Sequence, residues 1–405
     1  MRNKIKVAIL IDSEKKSGGQ FHEIVTNARN IQKEKAENFE FIIIYTSKSI
    51  AKNLPNLGIE KKYFNLNKID RYLCYLRNYH HFFRRIKNLF FRNKFENFLK
   101  NNNVDLVYFI GPSQYSLYLE NTKFIINIPD IYSKEHLEIP EFVNDSEYQR
   151  KDEIFRLSFP RAIGIIVPAE IVKRRISFFY GVLEKRIQVI NHQPSMGINE
   201  IKAEALEKST SSLKEYKLPK NYLFYPAMYA PHKNHKTLID ALEILNIKFK
   251  LDFSLVLCGN DLGYLKSIKS YTKKKNLEKK ILFLNFVKDE HLPFLYKSSF
   301  ALLMPVLSGP SNIPPWEAFK LKVPVIYSNL DGVKEVFDDA VCYVDPFNAE
   351  DMAQSVKKLY ENKNFREELI LKGQKKLQEV QSKNEIKKFF KIINDYRKIK
   401  NLWDL

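Results

Sequence analysis

The stretch SGPSNIPPWEAF (residues 308–319) is a helix entrance built from small residues, with one carboxylate, Glu317, a turn inside. Pro314 and Pro315 have no N–H to leave unpaired and suit a first helical turn. The small residues ahead of them expose backbone amides towards whatever lies at the end of the preceding strand. Loop amides and a helix N-terminus together make a cradle for an oxyanion or phosphate. Glu317 cannot serve the same anion, because like charges repel. A carboxylate at that distance suits the cis-diol of a ribose, from which it accepts two hydrogen bonds. Phosphate followed by ribose is the chemistry of a nucleoside diphosphate.

A second stretch, YPAMYAPHKNHKTLIDAL (225–242), places Lys233 just before or in the first turn of a helix. The helix dipole is positive there, so a cation is disfavoured unless an anion binds at the same spot. A solvated lysine is the plain alternative. His232 and His235 flank Lys233, but no carboxylate lies nearby in sequence to complete a metal site. A third stretch, SEKKSGGQFHEIV, puts Gly18 and Gly19 at another helix entrance, where glycines let backbone N–H groups approach an anion. A third glycine of a dinucleotide fingerprint is missing, so an ordinary loop is the simpler reading.

These residues need strand ends to stand on, and the chain supplies them. KVAILID (6–12), FEFIIIYT (39–46), VDLVYFIG (104–111), KFIINIPD (123–130), AIGIIVP (162–168) and RIQVIN (186–191) are short runs rich in β-branched residues, with helical patterns between several of them. Apolar density drops between about residues 191 and 220. The form then restarts with YLFYPA (222–227), FSLVLCG (253–259), KILFLNFV (280–287), FALLMPV (300–306), VPVIYSN (323–329) and AVCYVDP (340–346). Such alternation predicts parallel sheets with crossover helices. The expectation is an α/β protein of two tandem Rossmann-like domains, residues 1–200 and 201–387, with ligands at strand carboxyl ends and in the cleft between the domains. A last helix, 388–405, is expected to pack back on the first domain, with Trp403 as an anchor.

The size agrees, since 405 residues exceed one ordinary domain. Cys74, Cys258 and Cys342 each lie in an apolar run, which predicts buried thiols in a reducing compartment and no zinc. The first apolar run ends at Asp12, too soon for a signal peptide, and no run is long enough to span a membrane. A cytoplasmic, at most peripheral, protein is expected. The net charge of +20 is concentrated, with eleven Lys or Arg against Asp70 and Glu96 between Lys61 and Lys100. Aromatic residues crowd the same interval, so residues 71–100 could rest on an anionic membrane surface. A core-facing helix with a basic back is the alternative. No nucleic-acid-binding motif accompanies the charge.

The C-terminal half resembles the retaining glycosyltransferases of family 4 (group 1 transferases), which have the GT-B fold. The resemblance rests on YLFYPAMYAPHKNHKTLIDAL, LCGND, ILFLNFVKDEHLPFLYKSS, MPVLSGPSNIPPWEAF, VPVIYSNLDGVKEVFDDAVCYVDP and NAEDMAQSVKKLYEN, in the family's order over about 150 residues. In the N-terminal half, SGGQFHEIV, IPDIYSKEHLEIPEF and AIGIIVPAEIVKRRISFFYGVLEKRIQVI are similar to the acceptor domain. The resemblance is greatest to the subgroup with a GPTNIPP-like donor loop. It implies that Lys233 holds the donor diphosphate, with His232 and Asn234 beside it. Gly259, Ser308, Gly309, Ser311, Asn312 and Ile313 would line the donor and Glu317 would bind its ribose. Backbone near Phe286 and Val287 would meet the base, and Gly18 and Gly19 would close over the diphosphate. His136 and Asp130 would act in catalysis.

Three positions depart from the family's pattern: Gly309 where a glutamate is usual, Met228 where an arginine is usual, and Ser133 where the subgroup tends to carry a histidine. The implied activity is metal-independent transfer of a hexose, with retention, from a GDP-mannose or UDP-sugar type of donor to a saccharide or lipid-linked saccharide acceptor. No cofactor is implied. A non-catalytic nucleotide-sugar or glycan-binding subunit and a nucleotide-sugar epimerase are the competing readings.

Overall fold

A computed structural model describes residues 4–12, 19–34, 38–79, 93–143, 145–201, 216–285 and 287–402. The chain divides into two compact units. The first comprises residues 1–131, 144–190 and 385–405; the second comprises 132–143 and 191–384. Residues 132–143 and 191–200, which the sequence reading gives to the first domain, therefore group with the second unit.

The first unit is built on a seven-stranded sheet: β1 (Ile5–Ile11), β2 (Phe39–Tyr45), β3 (Glu60–Tyr63), β4 (Leu106–Ile110), β5 (Lys123–Asn127), β6 (Gly164–Val167) and β7 (Ile187–Val189). Its order is β3-β2-β1-β4-β5-β6-β7, parallel throughout. β1 and β4 are buried along their whole length, as expected of strands covered by helices on both faces. The charged β3, EKKY, lies at the edge and carries no apolar run by which sequence could reveal it.

The helix Ile386–Lys400 completes this unit. Its Phe389 ring lies 4.7 Å from that of Tyr108, and Phe390 meets Phe39 and Phe41 at 5.6 and 6.2 Å. Lys400 Nζ pairs with Asp105 at 2.9 Å. Gly164 admits the closest approach, since a Cβ there would stand 2.9 Å from Ile392.

The second unit has six parallel strands: β8 (Tyr222–Pro226), β9 (Ser254–Cys258), β10 (Ile281–Leu284), β11 (Ala301–Met304), β12 (Val325–Ser328) and β13 (Cys342–Val344). Their order is β10-β9-β8-β11-β12-β13. After β8 the chain winds one way to β9 and β10, and from β11 onward the other way. The crevice between β8 and β11, where the winding reverses, is where such sheets bind ligands. The helices Ile313–Lys320 and Lys363–Ser382 pack so closely that a Cβ on Gly373 would meet the Phe319 ring at 2.5 Å.

In the basic, aromatic-rich interval, residues 80–92 lie outside the described residues. In the helix Lys68–Tyr79, Ile69 and Tyr72 are exposed while Cys74 is buried. Phe95 and Leu99 of the helix Lys94–Asn101 are also buried. Among the described residues no helix is long and apolar enough to cross a membrane.

Candidate active site

Of the predicted residues of the second half, Lys233 follows β8 and the Ser308–Glu317 stretch follows β11, the two strands that flank the crevice. β8 ends at Pro226, and a loop with a 3-10 turn, Pro231–Lys233, leads into the helix His235–Ile247. Asn234 makes the corner in the left-handed region, with φ +52°. Its amide donates to the carbonyls of Pro305 and Pro346 at 3.0 and 2.7 Å, and its oxygen accepts from Thr237 at 2.9 Å. The Leu307 N–H donates to the His232 carbonyl at 2.9 Å. The turn that carries Lys233 is thus tied to the loop that follows β11.

On the other side, the loop is fixed to the end of β9. Tyr229 is fully buried, its hydroxyl 3.1 Å from the Leu257 carbonyl and 2.9 Å from that of Leu284. Its N–H donates to the Asn260 carbonyl at 2.9 Å. Gly259 allows the two chains to come this near, because a Cβ would strike the backbone of Ala227 and Met228. Val287 is buried close by in sequence to β10, while Phe286 lies outside the described residues.

After β11, Ser308 and Ser311 are buried and Gly309 has φ +111°. A Cβ at Gly309 would sit 2.5 Å from the Asn312 amide nitrogen. The Gly309 carbonyl accepts from Asn312 Nδ2 at 3.0 Å and from the Tyr327 hydroxyl at 2.5 Å. Asn312 stands at the N-terminal boundary of the helix Ile313–Lys320 without a side-chain capping bond, and Pro314 and Pro315 occupy the helix's first turn as expected. The Ser311 hydroxyl is buried and has no hydrogen-bond partner among the described residues. Buried hydroxyls are rarely left unmatched, and this one lies just before the helix Ile313–Lys320.

Glu317 is 5% exposed, and its Oε2 accepts a 2.7 Å hydrogen bond from the Tyr296 hydroxyl. Burial, and the Glu317 charge after it, push the Tyr296 hydroxyl and the Cys258 thiol up, the latter to about 12. Tyr296 and Tyr327 were not singled out in the sequence; both are reached only through the packing of separate strands and helices.

His235 has no exposure, its ring between those of Tyr225 and Tyr229 at 5.2 Å from each. Burial, with the Lys233 and His232 charges adding, pulls it down to about 3, so it is neutral. His232 does have a carboxylate: Glu141 Oε1 lies 2.5 Å from Nδ1. Glu141 comes from the short helix Pro140–Val143, 91 residues earlier in the chain. The same segment carries His136, whose Nδ1 is 3.0 Å from Glu138 Oε1, and Ser133, buried in a 3-10 turn. Asp130, Gly19 and the helix Gly19–Lys33 belong to the first unit, and Gly18 lies outside the described residues.

Residues 209–376 match the family model of group 1 glycosyl transferases. The O-antigen chain mannosyltransferase RfbU of Salmonella typhimurium is 25% identical over 206 residues, 51% of this chain and 53% of that protein. The O-antigen chain mannosyltransferase B of Escherichia coli is 26% identical over 162 residues, 40% and 42% of the two chains. The match thus spans about half the length of these relatives or less. Among solved structures, Anabaena HepE in complex with UDP-glucose superposes with a TM-score of 0.72 at 14% identity, covering 97% of this chain and 100% of that one. The architecture is the two-domain α/β GT-B fold. The residues that match the group 1 glycosyl transferase model fall within its second unit.

Proposed function

We propose that this chain is a retaining glycosyltransferase that moves a hexose from a nucleoside-diphosphate sugar to a saccharide acceptor in polysaccharide or lipid-linked glycan assembly. The observation that carries the reading is the unmatched Ser311 hydroxyl at a helix N-terminus, on a loop bonded to the turn of Lys233. That combination suits a diphosphate, and Glu317 stands one turn further in, where a ribose diol would follow. The similar O-antigen chain mannosyltransferases suggest the polysaccharide setting, and the UDP-glucose held by the similar fold supports a sugar-nucleotide donor.

In the reaction, the bond between the anomeric carbon and the diphosphate oxygen breaks, and a bond to the acceptor oxygen forms on the same face. The acceptor's proton passes to the departing diphosphate. Lys233, the loop amides and the helix terminus stabilise the charge that develops there. They do this without a divalent cation, and metal independence is part of the proposal. His136 and Asp130 are assigned to the acceptor side. Residues 71–100 are assigned to an anionic membrane surface, where a lipid-linked acceptor would lie.

Thermal denaturation with UDP, GDP, UDP-glucose and GDP-mannose tests the donor. A ligand at about 100 times its Kd adds roughly 2.7 kcal/mol. Stabilisation by one nucleotide series, lost in Lys233→Ala, is the expected result. No stabilisation by any of the four would refute the donor site. Release of free hexose or its transfer to added glycan, in EDTA, tests the chemistry.

A further inference from the structure

The turn that bears Lys233 also bears a part-buried ion pair whose carboxylate the donor reading leaves unused. Glu141 Oε1 accepts twice from His232, from the backbone N–H at 2.7 Å and from ring Nδ1 at 2.5 Å. One carboxylate oxygen therefore fixes both the backbone and the ring of a single residue. Nδ1 must carry a proton to donate to it, so Nε2 is the ring atom through which His232 can act on anything else. The two side chains are only 13% and 22% exposed.

Burial raises the Glu141 carboxyl, but the bonds from the His232 ring and backbone outweigh it and hold the group below the usual carboxylate range. An ionised carboxylate bonded to one imidazole nitrogen favours a proton on the other. Glu141 from the helix Pro140–Val143 faces the ring, Lys233 follows His232 on the same turn, and His235 is kept neutral. The Pro305–Ser308 loop packed against it contributes no titratable side chain. Met228, five residues before Lys233, contributes no charge either.

Resting on the donor reading above, we propose that Glu141 is a positioning residue that holds His232 protonated, so that Nε2–H donates to the donor diphosphate as a second cation beside Lys233. The hydrogen bond from Leu307 to the His232 carbonyl keeps this group in register with the donor loop.

The test is affinity for UDP-glucose and GDP-mannose between pH 6 and 9, by calorimetry on the full chain. These diesters have no phosphate that titrates in the range. The wild type should lose affinity by about tenfold in all as the imidazolium loses its proton. His232→Gln should bind about tenfold more weakly at pH 6 and show no such dependence. Glu141→Gln keeps an acceptor oxygen but not the charge, so its loss of affinity should set in at lower pH.

The inference is overturned if a nucleotide sugar binds while both variants keep the wild-type profile. If neither nucleotide sugar binds at any pH, the donor reading itself fails. A measurement on the unaltered protein guards against misfolded variants: 15N-labelled histidine, with the His232 signals assigned by their loss in His232→Gln. Two imidazolium-type nitrogens at pH 7 are expected, and one bare nitrogen would refute the pair's role.

Discussion

The Tyr296 hydroxyl donates to the Glu317 carboxylate at 2.7 Å, and both side chains are shut away from water. A buried charge of this kind depends on its donor. Tyr296→Phe removes that donor and nothing else, so it should destabilise the protein by about 2 kcal/mol. UDP or GDP, if its ribose hydroxyls reach Glu317, should recover part of that loss. Urea denaturation with and without nucleotide measures both effects, and an undiminished stability in Tyr296→Phe would contradict the first.

Gly309 stands where the resemblance leads one to expect a glutamate, and its backbone explains why one cannot simply be placed there. With φ +111° and the Asn312 amide 2.5 Å from any Cβ, a side chain is strained and displaced at once. Gly309→Ala and Gly309→Glu should each cost about 1–3 kcal/mol. Gly309→Glu should also turn over donor more slowly than the wild type; faster turnover would show that the loop tolerates the acid.

His235 makes stability depend on pH. Its folded value, about 3, lies below the ordinary histidine value, so the unfolded chain binds the proton first as pH falls. The stability is complete at neutral pH and is lost below about 6.5, at roughly 1.4 kcal/mol per pH unit. His235→Phe keeps an aromatic ring between Tyr225 and Tyr229 and removes two unmatched nitrogens. The variant should match the wild type at pH 7 and exceed it by roughly 2 kcal/mol at pH 5. Equal pH slopes in the two proteins would show that His235 does not control the acid limb.

Lys233→Met should lower kcat/KM by about 10²–10³, the usual cost of removing one charge-stabilising donor. Steady-state kinetics on whichever nucleotide sugar stabilises the protein will show it. A variant within twofold of the wild type would remove Lys233 from the site.

The six strands of the second unit and all but one of the first could be read from runs of Val, Ile, Leu and Phe, because buried parallel strands must be apolar on both faces. β3 escaped because an exposed edge strand needs no such run. The Lys233 turn and the Ser308–Ile313 loop were visible as exceptions to helix-entrance chemistry, each within a dozen residues. Glu141 was not, since its partner is 91 residues away and a glutamate in LEIPEF carries no local signal. Tyr296 and Tyr327 were hidden likewise: each looks like ordinary core until its hydroxyl finds Glu317 or Gly309.

The helix Ile386–Lys400 gives the first unit some of its inner aromatic contacts, although nearly two hundred residues of the second unit are translated before it. On the ribosome, the sheet that begins at Ile5 must therefore wait with Tyr108, Phe39 and Phe41 uncovered until the last helix emerges. The second unit, by contrast, holds all its strands among the described residues within residues 222–344. The unit whose synthesis starts first is thus the one that receives its last packing helix at the end of the chain's translation.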